Sequence, residues 1–152
     1  MRTRLLVAGA IIVALLSTAA LAALMSRSDR EDNNCAKVDS ALRIALPARL
    51  DAFVNMPGHP RRPADPSQPD DEARAANDIR SIAATIDAPS LRARVIAIAD
   101  DLEAMSRSRT AVVDPAAPPD KQFMGAVQDM GTSIHDLVKA CPGIGDPAVS
   151  PP

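Results

Sequence analysis

The chain has 152 residues, 24% of them charged and 1% aromatic, with a formal net charge of −2 at pH 7. Phe53 and Phe123 are the only aromatic residues. Lacking stacking surfaces and a basic excess, the chain does not have the make-up of a nucleic-acid binder, and carbohydrate binding loses its usual aromatic platform. The preference for Ala, Arg, Pro and Asp over Lys and aromatics is the bias of a high-GC bacterial genome.

The first element is the uncharged run from Leu5 to Met25, LLVAGAIIVALLSTAALAALM. A helix rises about 1.5 Å per residue, so roughly 20 apolar residues span a bilayer core. Residues 1–4, with Arg2 and Arg4, form a positive n-region on the cytoplasmic side. Residues 5–25 read as a transmembrane anchor or a signal peptide. Ala20-Leu21-Ala22 permits cleavage before Ala23, but no helix breaker precedes that triplet and the apolar run continues to Met25, which favours the anchor. Either use places the rest outside the cytoplasm, as a single-pass membrane protein with an external C-terminal domain, or secreted if the signal is cleaved. Cys35 follows Asp32-Asn33-Asn34, unlike a lipoprotein cysteine, and no twin Arg precedes the apolar run.

Roughly 127 residues follow, the size of one domain. Within them the spacing predicts an exported four-helix domain over 29–141. In the first helix, about 29–53, Val38, Leu42, Leu46, Leu50 and Phe53 recur at steps of three and four, and Pro47 predicts a bend. A proline-rich loop over 55–70 comes next. Pro57, Pro60, Pro63, Pro66 and Pro69 are spaced by three, the period of polyproline II. It reads as a rigid connector, or more sharply as a docking strip beside Arg61 and Arg62.

Asp70, Asp71 and Glu72 put negative charge at the start of the second helix, which carries Ala75, Ile79, Ile82, Ala83 and Ile86 inward. Asp87-Ala88-Pro89 ends it and starts the third, about Pro89 to Arg107, with a seam at Leu91, Val95, Ile98, Leu102 and Met105. After a second breaker-rich loop, Asp120 caps a fourth helix whose seam is Phe123, Val127, Met130, Ile134 and Leu137. Residues 142–152 read as a disordered tail.

Cys35 is in phase with Val38 and Leu42, and Cys141 with Ile134 and Leu137. In an up-down-up-down bundle the start of the first helix meets the end of the fourth, so the two are expected to form a disulfide. The predicted class is therefore all-α, a transmembrane or signal helix followed by a four-helix bundle with one disulfide. Both long loops then lie at the opposite pole, where Pro57, Pro60, Arg61, Arg62, Pro63, Arg107 and Arg109 make up a docking tip.

No phosphate loop, zinc-protease, nucleophile-elbow or Ser-x-x-Lys pattern is present. No catalytic, cofactor or metal residue is assigned. His135 is expected at the surface, His59 lies in the proline-rich loop, and Asp100, Asp101 and Glu103 are read as a solvated face. In architecture the chain resembles small exported helical proteins of high-GC bacteria, some of which frame their domain with an early and a late cysteine and carry haem. The expected function is a non-enzymatic interaction or accessory protein of the bacterial cell envelope, with the membrane as one partner through Leu5 to Met25 and an envelope protein as another. The alternative is a carrier of a small apolar ligand, lipid or haem, which requires an enclosed cavity of a few hundred Å³.

Overall fold

The computed structural model describes residues 30–50, 67–111 and 120–144. Residues 1–29, Phe53, the proline-rich loop up to Pro66, the loop 112–119 and residues 145–152 lie outside them. The chain divides after Asn33 into two units. Of the first, residues 30–33 are described, and they are helical and exposed.

Every regular element among the described residues is helical, and there are four. Residues 30–50 form α1, Gln68–Ala83 α2, Pro89–Ala111 α3 and Lys121–Ala140 α4. Each boundary has a local cause. Pro69 sits in the first turn of α2, where a missing N–H costs nothing, with Asp70 and Asp71 beside it. α2 ends at Ala83, short of the expected Ile86, because the Thr85 and Ile86 N–H groups close a turn onto the Ile82 and Ala83 carbonyls. α3 runs past Arg107 to Ala111. The Asp120 side chain caps α4 by accepting from the Phe123 N–H at 2.7 Å. Beyond Cys141, Gly143 takes φ +96°, a conformation that favours glycine, and Ile144 folds back against the core.

The core is aliphatic. It joins Val38, Leu42, Ile79, Ile86, Val95, Ile98, Leu102, Met105, Phe123, Val127, Met130, Ile134 and Leu137, with Ala41, Ala45, Ala76, Ala83, Ala99 and Ala126 between them. Small residues at these positions let helix axes approach closely. The seam of α4 is buried as its spacing predicts, and so is that of α3 from Val95 to Met105. α1 differs. Leu46 is 38% and Leu50 64% exposed, whereas Ala41 and Ala45 face inward. At 3.6 residues per turn each four-residue step drifts by about 40°, so Leu46 and Leu50 rotate off the stripe that Val38 begins. Through Pro47 the chain stays helical to residue 50.

Contacts between elements fix their directions. Ser106, late in α3, donates to the Pro69 carbonyl at the start of α2 at 2.8 Å, while Arg80, late in α2, reaches Asp100 at 2.9 Å. Arg94, early in α3, pairs with Asp136, late in α4. α2 and α3 are therefore antiparallel, and so are α3 and α4. At one pole the Asp87 N–H donates to Asn34 Oδ1 at 2.9 Å, Lys37 Nζ donates to the Thr85 carbonyl at 2.6 Å, and Cys35 is bonded to Cys141 with a Cα separation of 5.5 Å. Farther along α1, Arg49 lies over Gly131 of α4, where an added Cβ would meet its Nη2 at 2.8 Å.

The two helical glycines are thus unequal, since a Cβ at Gly125 would meet nothing within 4 Å. Gly125→Ala is expected to raise stability by about 1 kcal/mol through helix propensity. Gly131→Ala should gain less, because the Arg49 guanidinium must first move. Urea unfolding of the two variants beside the parent chain measures the difference.

Candidate docking pole

The end of α3 and the starts of α2 and α4 meet at the pole opposite the disulfide. The side chains that join them there are largely polar. The buried Ser106 hydroxyl holds Pro69. The buried Ser108 hydroxyl donates to the Asp120 carboxylate, which together with the Phe123 N–H, the larger cause, holds that carboxyl below its ordinary value. Each bond removes a polar group from competition with water in a region where the aliphatic core is running out.

Between them lies a charged pair in a core position. Glu72 of α2 is 2% exposed, and its Oε1 is 2.9 Å from Nε of Arg109 on α3. The Arg109 guanidinium also lies over the Phe123 ring, 4.6 Å from its centroid. A cation above an aromatic face gains from the ring quadrupole, so α2, α3 and α4 are linked through one side chain. A pair taken this far from water offsets its desolvation only while both charges are present.

The sequence offered a signal for this pair. Glu72 lies four residues before Ala76 and seven before Ile79, so it extends the buried stripe of α2 rather than its solvent face. Arg109 continues the α3 seam four residues after Met105. Reading Glu72 only as a favourable charge at a helix start conceals that phase.

The proposed tip residues fall into two groups. Pro57, Pro60, Arg61, Arg62 and Pro63 lie outside the described residues. Arg107 is exposed and bonded to Glu103 Oε1 at 2.9 Å, whereas Arg109 is turned inward onto Glu72 and Phe123. The Asp100, Asp101 and Glu103 face of α3 is answered from within the domain. Arg80 bonds both Asp100 and Glu103, which raises its own pKa. Asp101 instead turns partly inward. His135 is exposed and His59 lies outside the described residues. Among the described residues, no group of three or more His, Cys, Asp or Glu is arranged to hold a metal ion, and no helix is long and apolar enough to cross a membrane.

Comparison with known proteins finds no matching family model, no similar curated protein and no similar solved structure.

Removing one member of the buried pair takes from the other the ion pair that offsets its loss of water. Glu72→Ala and Arg109→Ala are each expected to cost about 3 kcal/mol, and the double substitution distinctly less than the two together. A double-mutant cycle by urea unfolding gives the coupling; additive losses would show that the two side chains act independently.

Proposed function

We propose that this chain is a non-enzymatic interaction module of the bacterial cell envelope. In this reading the Leu5 to Met25 stretch exports the domain and anchors it in the membrane, and an up-down-up-down thread presents the pole of Arg107 away from the bilayer. The choice of an interaction module over a carrier rests on one observation, the filling of the interior. Ile79, Ile98, Leu102, Met105, Met130 and Leu137 have no surface that a water molecule can reach. A carrier of lipid or haem needs an apolar space of a few hundred Å³ among such side chains. The bonded cysteines support the location, because disulfides persist in oxidising compartments outside the cytoplasm.

Polar groups at the far pole are largely spent on one another, so recognition there falls to Arg107 and to the two loops that end at this pole. Proline-rich segments dock as extended strips whose conformational entropy is already low. A protein partner with an acidic groove matches such a strip flanked by arginines.

Site-specific photo-crosslinking in intact host cells tests this reading. A photoreactive residue at Arg107 or Arg62 is expected to capture the same envelope protein, and one at Lys139, beside the disulfide, to capture none. Equal capture from both poles, or recovery of the monomer with bound lipid or haem, would contradict it. In the same cells the chain should remain with membranes after an alkaline wash; release into the medium with Ala23 as the first residue would overturn the anchor.

A further inference from the structure

Asp101 lies on the part of α3 that packs against α4, and its Oδ2 is buried with no hydrogen-bond partner. The charges acting on it are both negative, Asp129 from α4 and Asp100 from its own helix. The cations nearby are engaged elsewhere. Arg80 of α2 bonds Asp100 and Glu103, Arg107 bonds Glu103, and Arg94 bonds Asp136 of α4. Arg49 of α1 lies over Gly131 and is not among the charges acting on Asp101. The helix seam thus holds a carboxylate oxygen that is removed from water and faced by like charge.

We propose that Asp101 is an acid-responsive latch in the α3–α4 seam: uptake of one proton removes a charge opposed by burial and by Asp129, and the folded domain tightens as its surroundings acidify. A neutral carboxyl is the less costly form where an oxygen has lost water and gained no donor. Burial, the larger cause, together with Asp129 and Asp100 pushes the Asp101 carboxyl from the ordinary 3.8 up to about 6.

The linkage has a definite sign. The folded chain holds this proton more tightly than the unfolded one, so the stabilisation is fully present below the unfolded value and is lost as pH rises through about 6. Asp120 acts in the opposite sense. Its carboxyl is held below 3.8 by the Phe123 N–H, so its contribution is lost only in stronger acid. Together the two groups give greatest stability near about pH 4, falling as pH rises toward 6 and again in stronger acid. A domain outside the cytoplasm meets the pH of its surroundings directly, which gives such a latch something to sense.

The test is urea unfolding of the full chain in neutral detergent at several values between about pH 7.5 and 5, for the parent, Asp101→Asn and Asp129→Asn. One proton of difference changes the unfolding constant by at most about tenfold per pH unit. The parent is expected to become harder to unfold toward pH 5, Asp101→Asn to lose that slope, and Asp129→Asn to show a smaller one. Carboxyl ¹³C NMR of the parent, which needs no variant, should place the Asp101 midpoint near 6. A parent without the slope, a slope that persists in Asp101→Asn, or a midpoint near the ordinary 3.8 would overturn the proposal.

Discussion

The covalent link between Cys35 and Cys141 is the constraint on which the domain depends. It joins the first helix to the last across 106 residues of sequence. In the chain-entropy description, closing a loop of that length removes about 4 to 5 kcal/mol of disorder from the unfolded chain. That is a large share of the stability of a small domain, and this one needs it. Much of the interior is alanine, which buries little area, and among the described residues Phe123 is the one aromatic side chain in the core. The bond also gathers the start of α1, the corner between α2 and α3 and the end of α4 at one pole, with Asn34 and Lys37 holding that corner by hydrogen bonds.

At the opposite pole no covalent link exists among the described residues, and polar contacts take over. Ser106, Ser108 and Asp120 tie helix ends through single hydrogen bonds, while Glu72 and Arg109 bring opposite charges into a seam that elsewhere is aliphatic. A core of alanine, leucine and isoleucine tolerates sliding of one helix along another. A buried charged pair does not, because any shift separates charges that have already lost their water. Asp101, in the α3–α4 seam, has no such counterpart. The seams therefore combine one charge that is matched with one that a proton would neutralise.

Much of this arrangement is legible in the sequence because heptad-like spacing and capping chemistry act locally. Val95, Ile98, Leu102 and Met105 on α3, and Phe123 through Leu137 on α4, follow from spacing alone, and the cysteine pairing follows from their phase on the outer two helices. The inward face of α1 is less legible. A larger side chain at Leu46 or Leu50 attracts the pattern, yet the helical repeat turns Ala41 and Ala45 inward instead. Glu72, Arg109 and Asp101 escape a reading that assigns charge to solvent, because their burial is decided by which neighbour lies opposite. For the docking pole, Arg107 keeps its exposed place and Arg109 does not; the proline-rich segment up to Pro66 lies outside the described residues.

The central claim is that one bond between the outer helices holds a thin bundle together. The most direct measurement is the urea unfolding curve of the full chain with and without a thiol reductant, taken at constant pH and detergent. Reduction is expected to lower the unfolding free energy by about 4 to 5 kcal/mol, shifting the midpoint strongly toward lower denaturant. Curves that coincide, with both thiols already free before reductant is added, would contradict the account.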